Sequence, residues 1–257
     1  MGKIFITGDK HGDYFFLAEK LEKLKTTKDD VVIILGDHGT LYYGANDDRH
    51  KKKLVSNMLA TFIMIRGNHD RRAGAEEYEH KLIYVDNPNY CGSFYVDENY
   101  PNILYTMEYG WYRFGSKNVF VVCGAYSVDK FKRLEMQQNG FSQYHWFADE
   151  QLSVHEQFDA INSYNDNANS YENHCIMSHT CPQKYKPWDT LLDGINQSLV
   201  DQSMEIWLDK IEQKSLYSNW YCGHWHIERR IDKMCFLYND IKIFDYVKEN
   251  ENEGLSK

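Results

Sequence analysis

The sequence predicts an α/β fold built on a partly parallel sheet, and three features of its first third predict it. Short apolar runs at residues 3–7, 31–35 and 61–66 have the length and β-branched content of buried strands. Segments of helical periodicity separate them. Each run then ends in a glycine-containing polar loop: Gly8-Asp9-Lys10-His11-Gly12-Asp13, Gly36-Asp37-His38-Gly39 and Gly67-Asn68-His69-Asp70. Strands alternating with helices imply parallel strands joined by crossovers. Ligands of open α/β sheets bind beyond the carboxyl ends of such strands, so the three loops should converge on one site.

The elements follow in chain order. Residues 14–24 place Phe15, Leu17, Leu21 and Leu24 at helical spacing, and 49–59 is the second helix. Residues 103–107, 111–114 and 118–123 read as antiparallel strands, 151–164 as a helix, and the Asn-, Asp- and Ser-rich run 162–173 as a loop. Residues 174–178 return as a strand, 199–211 as a helix and 216–222 as a strand. Strands at 235–238 and 242–247 close one domain spanning 1–247, and 248–257 reads as a polar tail.

Composition narrows the function classes. A chain of 257 residues can bury a sizeable core. A net charge of −9 and the lack of a basic, aromatic-interleaved stripe argue against a nucleic-acid partner. Six cysteines with no C-x-x-C pair read as free thiols of a reducing compartment. No apolar run approaches membrane-span length, and MGKIFITGD lacks the apolar region of a signal peptide. The expectation is a cytoplasmic protein with no membrane partner.

The chemistry lies in five segments: Gly8-Asp9-Lys10-His11-Gly12, Gly36-Asp37, Gly67-Asn68-His69-Asp70, Ser178-His179 and Gly223-His224-Trp225-His226. Each begins where an expected strand ends. Each concentrates carboxylate, imidazole or amide oxygen, the donors that bind divalent metals. Asp9 with His11, and His224 with His226, share an i, i+2 spacing that lets two side chains leaving a strand meet at one centre.

These segments match D-x-H, G-D, G-N-H-D/E, H and G-H-x-H in order, from Asp9 to His226. The set resembles the calcineurin-like metallophosphoesterase superfamily, in its small bacterial and phage form. GNHD alone should occur by chance in about one chain in a thousand of this size. The resemblance implies a four-layer αββα sandwich of mixed sheets flanked by helices. It implies that Asp9, His11 and His226 hold one metal, that Asn68, His179 and His224 hold a second, and that Asp37 bridges both. It also implies hydrolysis by a bridging hydroxide, with His69 as general acid and Asp70 as its partner. The imidazole-rich donor set suits Mn, Fe, Zn or Co, with Mn favoured, better than Mg or Ca.

The departures from the pattern bear on substrate. Lys10 stands where the superfamily has an apolar or small residue and is a candidate to touch phosphate. The second motif lacks the downstream Asp-Arg of Ser/Thr protein phosphatases. A Gly-Ala-Tyr-Ser-x-Asp-Lys segment, at 124–130, is shared with the small phosphoesterases. Arg72 and Arg133 are the phosphate-binding candidates. Residues 124–173, dense in Tyr126, Lys130, Arg133, Tyr144, His145, Trp146 and Glu150, are expected to form a cap that sets substrate choice. The expected activity is phosphatase or phosphodiesterase, on a small phosphorylated substrate or a phosphopeptide. A catalytically silent scaffold and a nuclease or phosphodiesterase acting on nucleotides are the alternatives. The filled donor positions weigh against the scaffold and the acidic charge against the nuclease.

Overall fold

Period-two alternation sorts the side chains of β1 (Lys3–Thr7), β2 (Val31–Leu35) and β3 (Thr61–Ile65) onto two buried faces. Ile4, Ile33 and Ile63 pack on one face, and Phe5, Val32 and Phe62 on the other. Helices α1 (Phe15–Leu24) and α2 (Ala45–Ser56) cover the second face through Leu17, Leu21 and Val55. β1 pairs β2 and β2 pairs β3 in parallel. The computed structural model describes residues 2–141, 143–171, 173–191, 195–214 and 216–246, so the expected tail at 248–257 lies outside the described residues.

The remaining strands are β4 (Lys81–Asp86), β5 (Tyr90–Val96), β6 (Ile103–Thr106), β7 (Tyr109–Phe114), β8 (Lys117–Val122), β9 (Cys175–Ser178), β10 (Asn219–Cys222), β11 (Arg229–Ile231), β12 (Met234–Phe236) and β13 (Lys242–Tyr246). Helices α3 (Lys130–Gln138), α4 (Val154–Ala168) and α5 (Ser203–Lys214) complete the chain. All described strands join one mixed sheet in the order β11-β12-β10-β9-β8-β7-β5-β6-β3-β2-β1-β13, with β4 paired to β5. The sheet curls so that its halves face each other: Ile4, Ile33 and Ile63 share a cluster with Val119, Val121 and Met177. On the far side Phe120, Ile176 and Trp220 pack against Ala160 and Tyr164 of α4 and Trp207 and Leu208 of α5. Two outer helix layers around two sheet layers make the αββα sandwich.

Several boundaries differ from expectation for tertiary reasons. β4 and β5 were not anticipated. β4 is largely exposed, and in β5 Gly92 interrupts the apolar run because the Tyr112 ring occupies the space a Cβ would need. α4 runs through most of the expected loop at 162–173. The capping box of Ser153 and Glu156 starts it and buried Ala160 and Tyr164 anchor it, while Asn162, Asn165 and Asp166 face solvent. α3 lies on the surface and buries none of its residues. α2 begins at Ala45, ahead of the expected start, where Asp48 accepts the backbone N–H groups of Tyr42, Tyr43 and Gly44. The six cysteines are free, five of them buried. Among the described residues no helix is long and apolar enough to cross a membrane.

Glu156 ties α4 to the body through an ion pair with Arg72. Burial raises its pKa, but Arg72 and the Ser153 hydrogen bonds outweigh that and hold the carboxyl down at about 2. A depressed carboxyl stabilises the fold above its unfolded pKa, here 4.5, and loses that contribution as pH falls through the folded value. Because the pair is partly solvated, Glu156→Gln should cost only about 1 kcal/mol at pH 7. Urea titrations at pH 7 and pH 3 should show the deficit shrinking at the lower pH; an unchanged deficit would mean the ion pair is not its source.

Candidate metal centre

The carboxyl ends of β1, β2, β3, β9 and β10 all open onto one cluster of side chains. Asp9 and His11 leave β1, Asp37 leaves β2, Asn68 and His69 follow β3, His179 follows β9, and His224 and His226 follow β10. The loops are stitched to one another: Asp9 Oδ1 accepts the His224 N–H at 2.9 Å, and Asp37 Oδ1 accepts the His69 N–H at 2.8 Å. Four of the seven described non-glycine residues with positive φ are His11, Asp37, His224 and His226. Each such residue costs roughly 1–2 kcal/mol, and strain of this kind concentrates at functional sites. Gly36, at φ +98°, has no room for a side chain, because a Cβ there would fall 2.0 Å from His179 Nδ1.

Imidazole nitrogens and carboxylate or amide oxygens crowd together across the cluster. His179 Nδ1 donates to the Leu35 carbonyl at 2.8 Å, which leaves Nε2 of the neutral ring as an acceptor. That atom lies 2.9 Å from Asn68 Oδ1, another acceptor. The Asn68 amide is oriented by a relay: its Nδ2 donates to Ser127 Oγ at 2.8 Å, and Ser127 Oγ donates to Glu150. Nearby, His11 Nε2 and His226 Nε2 approach to 3.0 Å. Asp9 Oδ2 is buried without a hydrogen bond, and His226 Nε2 lies 3.1 Å from it without hydrogen-bond alignment. Acceptors at these separations repel unless a proton or a cation lies among them, so the donor set fits divalent ions.

Electrostatics agree with that reading. Burial disfavours the charged forms of Asp9 and Asp37, but neighbouring imidazoles, His179 for Asp9 and His69 with His179 for Asp37, outweigh it and keep both carboxylates ionised. The same pairing acts on His179: burial lowers its pKa, yet Asp37 at 3.5 Å and Asp9 push it up to about 9. A cation bound there would replace that proton. His224, buried and beside His179, is pushed down to about 3 and stays neutral, as a metal ligand must.

The structure places the other expected site residues as follows. His69 stands at the rim, with Nδ1 3.5 Å from Asp37 Oδ2 and Nε2 3.7 Å from Asp129 Oδ1. Arg133 donates to Asp129 Oδ2 and Tyr42 Oη, both at 2.7 Å, and lines the cavity above His11 and Asp37. Asp70 has a different post from the one expected: its carboxylate accepts the backbone N–H groups of His38, Gly39 and Gly67, locking the β2 and β3 loops together. Lys10 also turns aside. Its Nζ is buried against the Tyr238 carbonyl at 2.8 Å, and burial pushes its pKa down to about 8. Arg72 is committed to Glu156 and Asp149 and lines a separate cavity with Glu108.

Sequence reasoning did not assign roles to Asp129 beside His69 or to Ser127 behind Asn68, and it placed Glu150 among the cap residues rather than behind Ser127. The 124–130 segment noted above carried two of the three, so a signal was there. A family model described as calcineurin-like phosphoesterase matches residues 2–228. No curated protein matches the chain.

Proposed function

The chain belongs to the calcineurin-like phosphoesterase family, and from that premise we propose that it hydrolyses phosphoesters at a two-metal centre. Asp9, His11 and His226 would hold one ion, Asn68, His179 and His224 the other, with Asp37 shared between them. When bound, such ions act as Lewis acids on the phosphoryl oxygens and furnish a shared hydroxide at neutral pH. The crowding of metal-binding nitrogen and oxygen atoms at His179–Asn68 and His11–His226, beside the buried Asp9 Oδ2 that has no hydrogen bond, is the observation that carries this reading.

The chain's own groups do the rest. His69 gives its proton to the departing oxygen. Burial lowers its pKa, but Asp37 and the Asp129 hydrogen bond raise it on balance, which suits an acid. Asp129, held by Arg133, sets the ring's orientation. Within residues 124–173 the stretch through Tyr144 acts as the cap, a reading supported by Asp129, Arg133 and Tyr144 reaching the cavities over the centre, while α4 belongs to the outer helix layer. Six free thiols support a reducing, cytoplasmic setting.

Protein stripped with a chelator should be inert toward p-nitrophenyl esters. Mn²⁺ should restore turnover as elemental analysis rises to two ions per chain. Turnover by the stripped protein would sink the proposal.

A further inference from the structure

Two cavities meet at the candidate metal centre, and His11, Asp37 and His69 line both. The smaller, about 180 Å³, is bounded by Tyr42, Tyr43, Tyr144 and Arg133. The larger, about 480 Å³, is walled by Val128, Leu191, Ile195, Trp225 and Ile227. Its volume lies in the range of small-molecule pockets, and its walls are of the apolar kind that bury an organic group. Resting on the phosphoesterase reading above, we infer that the substrate is a phosphodiester with its phosphorus at the neck, a bulky apolar arm in the Trp225 lobe and a smaller arm in the Arg133 lobe.

Shape and charge both favour a diester. A monoester has one organic substituent and would fill one lobe, whereas two lobes meeting at one neck accept two substituents. At neutral pH a monoester also carries an extra negative charge over a diester, on the oxygen a second arm would replace, and away from His69 at the neck the lobes offer little to meet it. Among the described residues lining either lobe, Arg133 is the one Lys or Arg. Its guanidinium is already matched by Asp129 and bonded to Tyr42 Oη and the His145 carbonyl. The larger lobe presents an indole and aliphatic side chains, which reward hydrocarbon or an aromatic ring and penalise an unpaired polar group. In the reaction a water oxygen gives up a proton to solvent and bonds to phosphorus as the bond to one arm breaks. His69 protonates the departing oxygen, and the products are an alcohol and a phosphomonoester.

The Mn²⁺-loaded full chain should be assayed on bis(p-nitrophenyl) phosphate and p-nitrophenyl phosphate, which share a leaving group. The diester should have a kcat/KM at least about tenfold higher. Leu191→Asp, which puts a charge into the apolar lobe, should raise KM for the diester by about tenfold or more, with inhibition by inorganic phosphate unchanged. Leu191→Ala, the milder change, should shift KM the same way by less and guards against a folding defect, with melting temperature measured for both. A monoester turned over as well as the diester would overturn the inference while leaving the phosphoesterase reading intact. An unchanged KM in both Leu191 variants would overturn the apolar-arm assignment. Failure to cleave either ester by protein holding two Mn²⁺ would overturn the phosphoesterase reading and the inference with it.

Discussion

Asp37→Asn should lower turnover on the order of 10³-fold, the scale reached when a group that stabilises transition-state charge is removed. Asp37 is buried, and its two oxygens face different partners: Oδ1 lies 3.5 Å from His179 Nε2, and Oδ2 lies 3.9 Å from His11 Nε2. The Asn side chain is nearly isosteric and can still accept the His69 N–H through its remaining oxygen, so the loop and the fold should survive. What disappears is one of the two negative charges in the imidazole-rich cluster. Elemental analysis should therefore find fewer than two ions per chain, with a near-native circular dichroism spectrum. Full activity with two ions bound in this variant would defeat the two-metal assignment.

His69→Ala should be nearly as damaging, but only for some substrates. The ring sits beside His11, with centroids 5.3 Å apart, and between the Asp37 and Asp129 carboxylates that favour its protonated form. General acid catalysis is worth about 10²–10⁴-fold when the leaving oxygen needs a proton. Alkyl esters need it; p-nitrophenyl esters, whose leaving anion is stable, do not. The variant should thus lose that factor on alkyl esters and far less on aryl esters, measured as kcat with Mn²⁺ saturating. Equal losses on both would show that His69 acts on metal placement or transition-state charge instead. Asp129→Asn should reproduce the pattern more weakly, because it disturbs the ring's orientation and leaves the acid in place.

The residues that meet at the centre were legible because their chemistry is written in short range. Asp9-x-His11 and His224-x-His226 need only a strand end and one intervening residue to converge. The parallel pairing of β1, β2 and β3 was legible for a similar reason, since apolar runs alternating with helical periods leave few other topologies. Hydrogen-bond partners were not legible in the same way. Asp70 neighbours His69 in sequence yet serves the loop backbone, while Asp129, far along the chain, stands at the ring. Arg72 sits two residues past the GNHD motif and turns to α4.

By itself, then, the sequence determined which donor types stand at the ends of which strands, and with that the α/β class and the metal-binding character. Only the tertiary structure decided the partner of each polar group and the shape of the cavities around them. The physical reason is the curl of the sheet. Packing Ile4, Ile33 and Ile63 against Val119, Val121 and Met177 brings the β9 and β10 loops over those of β1 to β3. That closure sets Leu35 against His179 and Ser127 against Asn68, and leaves Trp225 and Val128 lining the same larger lobe. Such contacts join residues far apart in the chain, and no local pattern encodes them.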